Sequence, residues 1–248
     1  MADEFKEITA GQSKEMPARI IIYGREKGGK TTFACQAPDA FLIDIENGAQ
    51  FLETKVRATP HLRDYDSVIG WLKHIYEDDK FTCGTIVLDS LDHLEDLAQA
   101  RLIKLNNAKT ITDPAVKSFA YHRGVVDAAN DTAKVFKWLD ALWEKKKIKC
   151  IIIAHSAIKE ISLPGQEPFS RYQLKLSKQL GAKAKEWCDM LLHLEYSFHV
   201  SSEGKTSTPT PVLFTGGDMS FEGGGRIKLP KSIPVNYKAL EDAIKKSC

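Results

Sequence analysis

The chain has 248 residues, 43% hydrophobic and 27% charged, a globular composition long enough to bury a substantial core, with one domain as the natural count. Thirty-five basic against thirty-three acidic side chains leave a net charge of +2, so bulk charge gives no reason to expect a nucleic-acid or membrane partner. Its five cysteines lie far apart with no C-x-x-C pair, which argues against a metal or disulfide framework and for a reducing cytoplasm, and no apolar run approaches the ~18 to 20 residues that cross a bilayer.

Residues 1–17 are polar, carry acids early and lack an apolar core segment, so they read as a mobile arm rather than a signal peptide. β-Branched runs then follow at 18–24 (ARIIIYG), 40–46 (AFLIDIE), 84–90 (GTIVLDS), 149–155 (KCIIIAH) and 189–198 (DMLLHLEYSF), the character of strands buried on both faces of a parallel sheet. Helical patterns separate them at 31–36, 66–77 and 90–105, with a long one over 121–147 whose Val126, Val135, Leu139 and Leu142 can share one side. The alternation predicts an α/β fold with a mainly parallel sheet flanked by helices, its core at 18–200. Residues 201–248 are rich in Gly, Pro, Ser and Thr and read as a small β appendage, with a hairpin strand at 212–214 and a closing helix at 237–246.

The segment GREKGGKT at 24–31 fits G-x-x-x-x-G-K-[ST] and sits between an apolar strand and a helix, where a phosphate cradle has to be. Gly24, Arg25, Glu26, Lys27, Gly28, Gly29, Lys30, Thr31 and Thr32 are the expected nucleotide-binding residues. Glycines let backbone N–H groups turn inward onto phosphate oxygens, Lys30 adds a point charge at the β and γ phosphates, and Thr31 is placed to ligate magnesium.

Asp89 ends an apolar strand, as a Walker B carboxylate entering the magnesium shell does; equally, Asp89 or Ser90 could cap the helix that follows. Glu46 ends the strand between the two Walker strands, where a carboxylate can orient water for in-line attack on the γ phosphate. His155 should emerge on the same carboxyl edge, as a γ-phosphate sensor or as a satisfied structural residue.

Four segments in fixed order, GREKGGKTT, LIDIENGAQ, TIVLDSLDHL and IIIAHSAIKE, resemble the RecA family. A closer likeness, over about residues 18–198, is to the short RecA-like P-loop ATPases of bacteriophages, a group that includes single-strand annealing proteins and is often labelled AAA-type. That resemblance implies Glu46 as the catalytic glutamate and Asp89 as the magnesium-shell aspartate. It puts His155 where recombinases usually carry a glutamine. It further implies ATP and Mg2+ as ligands, hydrolysis tied to single-stranded DNA binding, annealing or recombination, a homo-oligomer, and a single-stranded DNA-binding protein as a further candidate partner.

The sequence adds a basic loop after His155, with Lys159, Arg171, Lys175 and Lys178 interleaved with Phe169 and Tyr172, and a second basic stretch with Arg101, Lys104, Lys109, Lys117 and Arg123. Such residues suit backbone attraction plus base stacking, although charge runs are also ordinary solvated faces. The resemblance to RecA-like ATPases implies a basic finger reaching a neighbouring subunit's nucleotide, and Arg171 or Lys175 lies where it would be. Two other functions stay open: a nucleotide-gated loading module with little turnover, and a P-loop kinase of small molecules, which would need an arginine-rich lid that the sequence lacks.

Overall fold

The computed structural model describes residues 17–165, 167–197 and 209–247. The expected arm, apart from Pro17, and residues 201–208 of the expected appendage lie outside the described residues.

The apolar runs become β1 (Arg19–Gly24), β2 (Ala40–Asp44), β4 (Thr85–Asp89), β5 (Lys149–Ile161) and β7 (Met190–Ser197), joined by a short β3 (Arg57–Ala58). They are parallel in the order β7-β1-β5-β4-β2-β3. Because strand side chains alternate, consecutive isoleucines feed opposite faces. Ile21, Tyr23, Ile43, Leu88 and Ile152 pack on one side beneath α2 (Tyr65–Glu77), α3 (Leu91–Leu105), α4 (Arg123–Thr132), α5 (Lys134–Lys146) and α6 (Lys178–Trp187). Ile20, Ile22, Leu42, Val87 and Ile153 pack on the other, beneath α1 (Lys30–Ala34) and α7 (Tyr237–Lys246). A continuous apolar run is what a strand buried on both faces requires.

The C-terminal segment extends this sheet. β8 (Thr210–Phe214) runs antiparallel to β7, β10 (Ser232–Pro234) antiparallel to β8, and the two-residue β9 (Gly224–Gly225) pairs with the start of β7. Tyr237, Leu240 and Ile244 of α7 then join Phe33 of α1 in the second core, and Gln36 accepts a hydrogen bond from the Tyr237 backbone N at 3.0 Å.

Two local expectations change. The helix foreseen over 121–147 is two helices meeting at Ala133, where buried Thr132 turns its hydroxyl back onto the Ala128 carbonyl at 2.8 Å, a contact that bends helices. It also starts later, because Tyr121 and His122 take positive φ values of 55° and 61°. The polar segment after His155 is not a loop: β5 continues outward to Ile161 and pairs antiparallel with β6 (Phe169–Leu174), and α6 follows, opened by Ser177, whose hydroxyl accepts from the Leu180 N–H.

His193 of β7 is fully buried among Tyr23, Tyr172, Phe214 and Phe221, and neither ring nitrogen has a hydrogen-bond partner. Burial pushes its pKa down to about 4, so the folded state holds the neutral ring while the unfolded chain protonates at an ordinary value. The stability this contributes is complete above about pH 6.5 and is lost as pH falls toward 4, on the order of 3 kcal/mol in all. Thermal melts should therefore show a smaller loss of melting temperature between pH 7 and pH 4.5 in His193→Phe than in the parent; equal losses would contradict this.

Candidate nucleotide site

The carboxyl edge of the parallel sheet brings the expected residues together through register. Gly24 pairs with His155 across β1 and β5, Asp89 with Ile153 across β4 and β5, and Asp44 with Asp89 across β2 and β4. Beyond this edge lies a cleft of about 290 Å³ lined by Lys27 to Thr32, Glu46, Gly48, Phe51, Leu52, Asp89 and His155.

The loop after β1 has the shape of a cradle. Gly29 takes φ 91° just before α1, a conformation that favours glycine, and the loop turns back so that Lys30 Nζ donates to the carbonyls of Gly24 at 3.2 Å and Arg25 at 2.7 Å. Among the described residues, the hydrogen bonds of this ammonium go to these carbonyl oxygens. Lys30 is 5% exposed, and burial lowers its pKa despite the nearby acids Asp89 and Glu46. Of the other expected contacts, Arg25 and Glu26 are exposed and do not line the cleft; the Arg25 guanidinium lies over the Tyr196 ring at 5.6 Å. Gly24 is required by packing as well, since a Cβ there would stand 2.1 Å from the Leu194 carbonyl oxygen.

Thr31 Oγ1 donates to Asp89 Oδ2 at 2.6 Å, which puts a hydroxyl and a carboxylate, the oxygen donors magnesium takes, beside the cradle. Asp89 is 4% exposed, and burial raises its pKa to about 6 against the opposing Thr31 hydrogen bond. Such a carboxyl gains from a cation. The donor set therefore fits a magnesium ion held by Thr31 and Asp89.

Glu46 stands two residues beyond the end of β2, not on the strand itself. Asp44 makes this turn: its carboxylate accepts from the Gly48 N–H at 3.0 Å and the Ala49 N–H at 3.1 Å, while Asn47 takes φ 60°. Glu46 Oε1 lies 3.0 Å from His93 Nδ1 and 3.6 Å from His155 Nδ1. His155 in turn is held by Asp92, which accepts from its backbone N at 3.0 Å and its Nδ1 at 2.8 Å; that bond is the main reason its pKa is raised.

One ligand atom from each of Glu46, Asp92, His93 and His155 lies within 4.8 Å of the others. The 2.8 Å between His155 Nδ1 and Asp92 Oδ2 is a hydrogen-bond length. It is shorter than the ~3.3 Å edge that ligands at ~2.05 Å make around a tetrahedral zinc. Within the cluster Asp92 and His155 are hydrogen-bonded, while Glu46 Oε1 stands close to both imidazoles without a well-formed hydrogen bond.

A family model described as an AAA domain matches residues 16–227. The chain belongs to this AAA domain family. It is thus a nucleotide-binding P-loop NTPase with the α/β architecture described above. No curated protein matches its sequence.

The basic residues of this AAA domain fall into two groups. Lys159 Nζ donates to the Leu176 carbonyl at 2.8 Å and Arg171 Nη2 to the Phe221 carbonyl at 3.0 Å, whereas Lys175 and Lys178 are exposed. Tyr172 packs its ring near buried His193 at 5.8 Å between centroids, so it is no open stacking platform. In the second stretch, Arg101 pairs with Asp66 at 2.9 Å, while Lys104, Lys109, Lys117 and Arg123 are exposed. No described helix is long and apolar enough to cross a membrane, and the four described cysteines are free thiols.

Asp44, Asp92 and His93 were missed by motif reading. Asp44 reads as one more polar residue at a strand end, and the pair in S-L-D-H carries a signal only once α3 is known to begin at Leu91, placing its first turn against the end of β5.

The close approach at Gly24 predicts that Gly24→Ala lowers stability by about 2 kcal/mol or more, read as a fall in melting temperature. Gly48→Ala, with nothing within 4 Å of the added carbon, should change it by less than about 0.5 kcal/mol. Comparable melting of both variants would contradict the packing described.

Proposed function

We propose that this AAA domain is a RecA-like, magnesium-dependent ATPase whose turnover is coupled to single-stranded DNA, in a phage annealing or recombination setting. The observation that carries the reading is the convergence of Lys30, Thr31, Asp89, Glu46 and His155 on one cleft. Strand order supports the RecA-like assignment, since β5 separates the phosphate-loop strand β1 from the Asp89 strand β4, and β2 with its glutamate turn lies beyond β4.

Bound at Thr31 and Asp89, magnesium would neutralise charge on the β and γ phosphate oxygens. Lys30, already buried and paired with carbonyls, exchanges those weak partners for phosphate oxygens. Glu46 accepts a proton from a water attacking the γ phosphorus; the bond to the β-bridging oxygen breaks, releasing ADP and inorganic phosphate. Glu46 has an oxygen to offer, because Oε1 is buried with no well-formed hydrogen bond. A kinase reading is less favoured, since the sequence lacks the arginine-rich lid that such enzymes carry over a bound acceptor.

Coupling to DNA rests on connectivity and on the family resemblance. His155 sits on β5, the strand that runs on into the β5–β6 hairpin, and its carbonyl accepts from the Lys175 N–H at 2.8 Å. A nucleotide-dependent shift of His155 therefore acts directly on the backbone beside exposed Lys175 and Lys178, which attract phosphate backbone. Lys175 is also the better placed of the two finger candidates in a homo-oligomer, because Arg171 is engaged with Phe221.

Phosphate release should rise several-fold when single-stranded DNA is added, and Glu46→Gln should keep ATP affinity within about threefold while losing at least about 100-fold in turnover. Turnover in Glu46→Gln equal to the parent's would remove the hydrolytic role. Tight ATP binding without phosphate release, with or without DNA, would favour the nucleotide-gated loading module.

A further inference from the structure

Asp92 holds His155, which lines the cleft, and motif reading gave Asp92 no role. It occupies the first turn of α3, is 5% exposed, and turns both carboxylate oxygens onto His155, Oδ1 onto its backbone N and Oδ2 onto its Nδ1, with Ser90 and His93 beside it. The first bond pins the strand end; the second fixes the rotation of the ring. With Nδ1–H committed to Asp92, Nε2 is the nitrogen that His155 can present to the cleft it lines.

A carboxylate so placed also favours the charged imidazole, and the His155 pKa is raised with the Asp92 hydrogen bond as its largest cause. The other groups facing this ring are Glu46 at 3.6 Å, which also favours its charge, Lys30, which opposes it, and the His93 ring at 5.8 Å between centroids. Burying a carboxylate at this depth costs free energy, which a surface helix cap avoids. Asp64 and α2 show the alternative, an exposed cap whose carboxylate hydrogen-bonds to Ser67 of its own helix. Asp92 instead reaches across to a strand 63 residues away in sequence.

We propose that Asp92 is a positioning residue for the reaction: it holds His155 so that Nε2–H points at the γ phosphate and supplies a positively charged hydrogen-bond donor from within the same chain. The inference rests on the hydrolase reading for its kinetic consequence, but not for the ring geometry. Asn in place of Asp92 can still accept the backbone N–H through its carbonyl oxygen. Its amide, however, donates to Nδ1 rather than accepting from it, which leaves the ring neutral and moves its proton to Nε2.

The test combines kinetics with nitrogen chemical shifts of 15N-histidine-labelled full-length protein. In Asp92→Asn, melting temperature and ATP affinity should stay near the parent's while phosphate release falls by at least about tenfold, a kcat effect rather than a KM effect. The His155 nitrogens of the parent should titrate with a midpoint raised above that of an ordinary histidine, with an Nε2 signal that moves on adding ATP and magnesium, and Asp92→Asn should lower that midpoint. Asp92→Glu should recover part of the rate. Adding Asp92→Asn to His155→Gln should cost nothing further, since the residue to be positioned is gone.

Unchanged kcat in Asp92→Asn, or a further loss in the His155→Gln background, would overturn the proposal. So would a His155 titration midpoint in the parent at or below the ordinary histidine value. Should Asp92→Asn fail to fold, the parent's midpoint and the response of its Nε2 signal to ATP decide the matter alone. A parent that releases no phosphate would sink the hydrolase reading and leave the shift measurement as the test of Asp92.

Discussion

The ammonium of Lys30 is the constraint around which the cleft is organised. A buried cation has to be compensated, and here the compensation comes from the carbonyls of Gly24 and Arg25, neutral dipoles that leave the charge unbalanced. Burial accordingly pushes its pKa down. A phosphate group answers that imbalance better than any contact the chain itself makes, which gives the loop its affinity. The loop can hold this lysine only because Gly24 lets β1 lie tightly against β7 and Gly29 takes a turn that few side chains tolerate.

The rest of the site is an exercise in keeping several carboxylates close without mutual repulsion dominating. Asp44 is neutralised by two backbone N–H groups and becomes a turn former. Asp92 is neutralised by His155. Asp89 has only the Thr31 hydroxyl and a raised pKa, and Glu46 has an oxygen without a well-formed hydrogen bond. The two acids left under-compensated are the two whose proposed work is to meet a cation and a water, whereas the two that are satisfied hold backbone and ring in place.

Much of this was legible in the sequence because it depends on local rules. A fully apolar run ending in Gly, Asp or His gives a buried parallel strand and a polar residue at its carboxyl end, and register then places Gly24, Asp89 and His155 on one edge. What escaped depends on contacts distant along the chain. Asp92 acquires meaning only from His155, and His193 sits in a strand that reads as merely apolar until Tyr172 and Phe221 close over it. The β5–β6 hairpin was hidden by a polar sequence: paired outside the main sheet, it needs no buried face, so alternation is weak. Helix α6 has its start in Ser177 followed by buried Leu180 and Ala184, a signal diluted by the basic residues of the segment.

Equilibrium ATP binding in the presence of magnesium, compared between the parent and Lys30→Ala, tests the central claim most directly. If the buried ammonium is the anchor of a triphosphate, affinity should fall on the order of 100-fold, close to 3 kcal/mol, with melting in the absence of nucleotide little changed. Equal affinity in the two proteins would mean that the loop ahead of Lys30 is a glycine turn and nothing more.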